Sequence, residues 1–243
     1  MRLDLYLTAK EIADSRTKAQ KIILDKRVII NGKVIDKVSF DINDNDEIQI
    51  LESETFEFVG RGGNKLEHAI NEFCCDVSGK TCLDIGASTG GFTQCLLIHG
   101  AKKVYAVDSG TGQLAKELRL DERVVSIEGF NARNLSCNDL DNNKIDLIVM
   151  DVSFISQKLL YPAILRVANI NADVITLIKP QFEAGKQNIG KKGIVKDEKV
   201  RKQVVNDIIE FAEQSGFEYI NHCTSPITGG DGNTEYLLHL KVK

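Results

Sequence analysis

Four charged side chains stand at the ends of segments that otherwise read as apolar. Asp151 ends the strand in LIVMDVSFIS and Lys179 ends the strand in VITLIKPQFE; Lys65 lies in RGGNKL at the start of a helix, and Glu235 opens the last strand in GGDGNTEYLLHL. Open α/β sheets bind their ligands outside the carboxyl ends of their strands, and a charge there is costly unless it is paired or used. A lysine whose neutral form is favoured by burial and by a neighbouring cation can take up a proton or steady a developing oxyanion. Structural ion pairs at the sheet edge are the plainer alternative for Asp151 and Lys179, and solubility at exposed element ends for Lys65 and Glu235.

A second constellation is CLDIGASTGGFT, in which a strand runs into Asp84, a loop carries Gly86, Gly90 and Gly91, and a helix follows. Glycines let the backbone approach a ligand closely, and the helix N-terminus offers unpaired N–H groups, so an anion or carboxylate is the natural guest. The spacing DxGxxxGG is not the dinucleotide GxGxxG, and the Lys of a phosphate-binding P-loop is missing. The pattern resembles the S-adenosylmethionine loop of class I methyltransferases; a turn needed only for strand-to-helix packing is the alternative. Asp108 ends the next strand, in VYAVDSG, 24 residues beyond Asp84, where a carboxylate can accept both ribose hydroxyls of a nucleoside. Asn131, after Glu128-Gly-Phe, stands where such folds contact adenine, and a loop cap explains it equally well.

These residues need a framework, and the periodicities supply one. Residues 2–13 and 15–26 read as two short helices, with Ser15 an N-cap and Ala19, Ile22 and Ile23 at helical spacing; Arg16, Lys18 and Lys21 then fall on the polar side. VIINGKVI is a hairpin about Asn31-Gly32, and 47–51 is a closing strand. Gly60, Gly62 and Gly63 mark a turn or linker, which sets the boundary between a domain of residues 1–58 and one of 59–243. A helix over 65–73 follows. Strands at 81–84, 104–108, 124–128, 145–151 and 174–178 then alternate with helices at 92–99, 113–118 and 156–168, which specifies a parallel sheet covered on both faces. After a helix over 198–214, segments 217–223 and 234–242 form a closing antiparallel pair.

The 243 residues are 42% hydrophobic and 27% charged, as in ordinary soluble proteins, which excludes disordered, collagen-like and coiled-coil chains. No apolar run approaches the ~18 residues of a membrane span, and the N-terminus lacks the apolar core of a secretory signal, so the cytoplasm is the expected location. Six cysteines show no CxxC pair and no histidine spacing of a zinc site; no metal is expected, and the thiols read as free and mostly buried. The net charge of −4 argues against a generic nucleic-acid binder, but its distribution does not. Residues 1–37 carry nine Lys/Arg against five Asp/Glu, 38–58 carry none against seven, and 179–202 carry eight against three. Two basic patches in an acidic chain suggest local phosphate contacts, with solvated helix faces as the alternative.

The first 50 residues, with SRTKAQKII and VIINGKVI, resemble the small RNA-binding domain of the ribosomal protein S-four type. The order Lys, Asp, Lys, Glu around the loop, within RGGNKL, DIGASTGGFT, DVSFIS, LIKPQFE and GNTEY, resembles the TlyA family of ribosomal RNA 2′-O-methyltransferases, historically labelled haemolysins, within the FtsJ-like group. The resemblance covers almost the whole chain. It implies an α/β fold, a class I (Rossmann-like) methyltransferase sheet with a small N-terminal α+β RNA-binding domain. It implies that Lys65, Asp151, Lys179 and Glu235 form a catalytic tetrad, and that Asp84, Gly86, Ala87, Ser88, Gly90, Gly91, Phe92, Asp108 and Asn131 hold S-adenosylmethionine. The target it implies is a cytidine ribose of ribosomal RNA, free or in a ribosomal subunit; the absence of an extension ahead of Met1 matches a shorter subtype that favours the large subunit.

A ribose 2′-hydroxyl must lose its proton, or nearly so, as it attacks the sulfonium methyl in line. Lys179 is assigned that proton; Lys65 would favour its neutral form and hold ribose or phosphate, while Asp151 and Glu235 orient the lysines and the hydroxyl. Arg16, Lys18, Lys21, Lys33, Arg61, Lys186, Lys191 and Lys192 are the expected RNA contacts, clamping phosphates rather than reading bases. Stacking platforms are scarce: there is no Trp, and Phe92, Phe154 and Phe182 read as core. Gly60 stands where the family usually has Ser, and Ser109-Gly-Thr where a Val-Gly pair is more typical. Other readings are a non-catalytic RNA-binding assembly factor, a membrane-active cytolysin and a pseudouridine synthase. No amphipathic stretch supports the cytolysin, and the last would leave the glycine loop unexplained.

Overall fold

The computed structural model describes residues 1–13, 15–43, 46–51, 58–190 and 192–243. It divides into two compact units, Met1–Glu57 and Phe58–Lys243. In the first, α1 (Leu3–Ala9) and α2 (Arg16–Leu24) precede β1 (Val28–Ile30), β2 (Lys33–Ile35) and β3 (Ile48–Ile50), which form an antiparallel sheet in the order β2-β1-β3. Ser15 caps α2 by accepting from the Lys18 N–H, and Asn31 and Gly32 both take positive φ (49° and 76°), as a two-residue hairpin turn demands. Leu3, Leu7, Ala19, Ile23 and Val28 are buried in this unit's own small core.

The second unit holds α3 (Gly62–Glu72), β4 (Thr81–Ile85), α4 (Gly91–Ile98), β5 (Lys103–Val107), α5 (Lys116–Arg119), β6 (Val124–Ile127), β7 (Ile145–Met150), α6 (Tyr161–Val167), β8 (Ala168–Ile178), α7 (Pro180–Glu183), α8 (Glu198–Ser215), β9 (Phe217–Thr224) and β10 (Tyr236–Val242). Its seven strands run β6-β5-β4-β7-β8-β10-β9. The first five are mutually parallel, and β10 enters antiparallel to both β8 and β9. Strand alternation separates two cores: Leu83 and Ile85 face the side covered by α6 and α8, while Cys82 faces the side covered by α3 and α4. This is the parallel sheet covered on both faces that the alternating pattern specifies, closed by the expected antiparallel pair.

The departures are local. The glycines expected as a linker are drawn into the helix: Gly62 and Gly63 are the first residues of α3, and a Cβ on Gly63 would lie 2.1 Å from Phe58 Cγ. β8 begins six residues earlier than its apolar run, because Ala168 pairs with Ile145 of β7 and, beyond a register shift, Asp173 pairs with Leu147. The helix expected over 113–118 is the single turn α5, and that over 156–168 is a 3₁₀ turn, 157–160, leading into α6. Phe92 is core, but Phe154 is not: it is 91% exposed. All six thiols are free, three of them buried. Among the described residues, no helix is long and apolar enough to cross a membrane.

Candidate active site

Asp151 follows β7 and Lys179 follows β8, so both stand at the carboxyl edge of the sheet. Because β10 is antiparallel to β8, with Tyr236 opposite Ile178, its first residues return to that same edge and bring Glu235 there. Lys65, in the first turns of α3, completes the group. Lys65 Nζ donates to Glu235 Oε2 at 2.6 Å and lies 3.8 Å from Asp151 Oδ2. Lys179 Nζ is 2.6 Å from Asp151 Oδ1, an ion-pair contact outside hydrogen-bond alignment, and donates to Ser153 Oγ at 2.8 Å. Lys65 and Glu235 are buried and Asp151 half-buried. The four sequence-selected residues are therefore one continuous chain of charge. Asp151 stands between the two ammonium groups, so the lysines do not face each other as bare cations.

A cavity of about 610 Å³ opens beside this chain, within the ~300–1,000 Å³ usual for small-molecule sites. Gly86, Ser88, Asp108 and Asn131 line it, as do Asp151, Ser153, Phe154 and Phe130. Asp108 Oδ2 accepts from the Ser88 N–H at 2.8 Å and Oδ1 from the Gly110 N–H at 2.7 Å, which fixes the carboxylate at the end of β5. Gly86 takes φ +86°, and a Cβ on it would lie 2.4 Å from the Asp151 carbonyl oxygen, so only glycine lets the loop pass β7 here. The Asn131 side chain accepts from the Arg133 N–H and caps the turn 132–134 while lining the cavity.

Asp84, Ala87, Gly90, Gly91 and Phe92 lie behind the cavity rather than on its wall. Gly91 touches α3, where a Cβ would lie 2.8 Å from Gly63 N and 2.9 Å from Gly60 O, and Gly90 faces Leu114 and Leu118. Asp84 is fully buried; its Oδ2 accepts from Thr93 Oγ1 at 2.7 Å and its Oδ1 has no partner. Burial pushes its carboxyl up to about 7, with the neighbouring carboxylates of Asp151 and Asp108 adding to the rise against the Thr93 bond. An anchored Asp108 and a cavity of this size together fit a ligand that carries a nucleoside.

Arg16, Lys18, Lys21 and Lys33 are exposed on the first unit, and Arg61, Lys186 and Lys192 on the second; Lys191 lies outside the described residues. Arg16 also holds Asp4, which is buried, with Nε 2.8 Å from Oδ2. Three residues inside the quoted motifs were not singled out from the sequence. Ser153 receives the Lys179 ammonium. Glu183 accepts from Ser156 Oγ at 2.6 Å and from the Gln157 N–H at 2.8 Å, tying DVSFIS to LIKPQFE, and burial pushes its carboxyl up. Buried Asn233 accepts from the Val195 N–H and donates to the Gly193 carbonyl, tethering the basic loop to the segment of Glu235. A polar side chain inside a motif already read as chemical was the available signal for each.

Sheet order, loop and cavity define a class I methyltransferase fold with a nucleoside-sized site at the carboxyl edge. The comparisons with known proteins go further. A model of the FtsJ-like methyltransferase family matches residues 58–242 and one of the S4 domain matches 1–48. The chain is 46% identical over 242 residues to hemolysin A of Brachyspira hyodysenteriae, covering all of both chains. It is 39% identical to the 16S/23S rRNA (cytidine-2'-O)-methyltransferase TlyA of Mycobacterium tuberculosis, over all of this chain and 90% of that one. A solved structure from Streptococcus thermophilus, provisionally described as a hemolysin, superposes with a TM-score of 0.78 at 39% identity, over all of this chain and 88% of that one. The chain belongs to the FtsJ-like methyltransferase family, in its S4-containing TlyA and hemolysin A branch.

Proposed function

We propose that the chain transfers the methyl group of S-adenosylmethionine to a ribose 2′-hydroxyl, that of a cytidine, in ribosomal RNA, in the cytoplasm where ribosomes are made. The observation that carries the reading is the run Glu235–Lys65–Asp151–Lys179, whose Asp151 lines the same cavity as Asp108. Asp108 would take the ribose hydroxyls of the donor, and Asn131 and Phe130 would meet its base. The donor, when bound, supplies an electrophilic methyl on a sulfonium.

Lys179, once its ammonium has given a proton to solvent, takes the 2′-hydroxyl proton as the oxygen attacks, or as the ammonium steadies the oxyanion if the proton leaves early. Asp151 and Ser153 hold its Nζ in place from two sides. Lys65 shares the Asp151 carboxylate, which weakens that carboxylate's hold on the Lys179 ammonium, and Glu235 neutralises Lys65. The S4 unit and the exposed Lys186 and Lys192 contact RNA phosphates, which fix position and not sequence. Phe154, on the cavity lip with φ +63° and its ring 5.1 Å from that of Phe182, is the stacking surface for the target base.

The test incubates the purified chain with methyl-labelled S-adenosylmethionine and each ribosomal subunit or free ribosomal RNA, beside Lys179→Ala, and maps the label by nuclease digestion. Label on a ribose 2′-oxygen, reduced about 10²-fold or more in the variant, is expected. Donor binding without transfer to any RNA would instead make the chain an RNA-binding assembly factor. Transfer to one subunit alone would identify the substrate particle.

A further inference from the structure

The packing of α3 on α4 creates a ligand set that sequence spacing does not display. Cys95 and His99 are one helical turn apart on α4, and Glu67 faces them from α3. The Cys95 thiol donates to Glu67 Oε2 at 3.5 Å, His99 Nε2 lies 2.8 Å from the same oxygen, and the three ligand atoms are all within 4.8 Å of one another. At zinc's bond lengths of about 2.3 Å to sulfur and about 2.0 Å to nitrogen and oxygen, tetrahedral coordination sets sulfur and oxygen about 3.5 Å apart and nitrogen and oxygen about 3.3 Å apart. The first separation is already present, and the second needs the imidazole to withdraw by about half an ångström.

Charge also balances. One thiolate and one carboxylate neutralise a divalent ion, and a neutral imidazole completes a borderline-soft set that favours zinc over magnesium or calcium. Glu67 and His99 are partly exposed while Cys95 is buried, so an ion has a route in and a dry sulfur to meet. A second trio, Cys75, Asp173 and His239, is less suited, because Asp173 is already paired with the Lys80 ammonium at 2.9 Å and an added cation would be repelled.

We propose that Glu67, Cys95 and His99 form a zinc site that clamps α3 to α4. On binding, the Cys95 proton passes to solvent and the thiolate sulfur takes the metal. The two helices it joins carry Lys65 and follow the donor loop, so the clamp would hold the lysine against the loop. The site is distinct from the methyl-transfer cavity, and its test does not depend on that reaction.

The probe is cobalt(II), which reports thiolate and tetrahedral ligation through a sulfur-to-metal charge-transfer band and intensified visible absorption. The reduced full-length chain is titrated, and zinc is then added to displace the cobalt. One cobalt per chain with a charge-transfer band, retained in Cys75→Ser, lost in Cys95→Ser and at least tenfold weaker in His99→Ala and Glu67→Gln, is expected. His99 and Glu67 are partly exposed, so their variants keep the test decisive if Cys95→Ser does not fold. Absence of the band in the native chain, or its loss in Cys75→Ser with survival in His99→Ala and Glu67→Gln, would overturn the site. The unfolding midpoint should also rise with zinc in the native chain and stay unchanged in His99→Ala.

Discussion

Phe154 combines two costs that a side chain serving packing alone would not carry. It is exposed to solvent and its backbone sits at φ +63°, a region that costs a non-glycine residue about 1–3 kcal/mol. A glycine relieves the backbone, so Phe154→Gly should unfold at an equal or higher denaturant concentration than the native chain. If the ring stacks on the target base, the same variant should lose about 1–3 kcal/mol of RNA recognition, roughly 5- to 150-fold, seen mainly in KM. Donor binding, measured by calorimetry, should be unchanged. A variant that is less stable and transfers methyl groups normally would return Phe154 to a packing role. Lys65 behaves in the opposite way. Its removal strands Glu235, which is 2% exposed, without a counter-charge, a defect that typically costs about 3–5 kcal/mol. Lys65→Ala therefore reports stability before it reports chemistry, and Lys179, which is less buried and leaves no fully buried carboxylate unpaired, is the cleaner probe of proton transfer.

At the scale of elements, the junction of α3 with α4 is the part the sequence did not disclose. Strand ends, the capping Ser15, the Asn31-Gly32 turn and the acids at 84, 108 and 151 were legible because period, capping chemistry and burial cost act locally. The glycines at 60–63 carry the same letters whether they loosen a linker or admit a neighbouring backbone, and only the contact between helices decides. The trio Glu67, Cys95 and His99 was hidden for the same reason, and Glu183 and Asn233 bond across elements far apart in the chain. Phe154 reads as core from the sequence because an aromatic beside an aliphatic residue ordinarily packs. The close approach gives a prediction. In Gly91→Ala the new methyl meets Gly63 N and Gly60 O, backbone atoms that cannot rotate away, so overpacking should cost about 1–3 kcal/mol. It should also weaken donor binding, because the helix bearing Lys65 must retreat from the loop. Gly79→Ala, with φ +70° and open space around the Cβ, should lower stability without changing donor affinity.

The whole molecule contains two units whose buried carboxylates answer pH in opposite directions. Asp4, in the first, is desolvated, yet hydrogen bonds from Arg16, Arg2 and Gln20 outweigh burial and hold its carboxyl well below the usual range. A depressed folded-state pKa gives stability that is present above the unfolded value of about 4 and is lost as pH falls below it. Asp84, in the second, is raised to about 7 by burial, so its folded form holds a proton that the unfolded chain gives up near pH 4. Stability from this group is full below about pH 4 and declines as pH rises to about 7, by at most about 4 kcal/mol. Between pH 5 and 7 the second unit should therefore lose stability as pH rises, measured by the tryptophan-independent far-ultraviolet signal in urea, while the first should not. Asp84→Asn, which keeps the shape and cannot ionise, should flatten that slope and leave the acid-induced loss of the first unit intact. A slope of unchanged steepness in Asp84→Asn would remove Asp84 as its source.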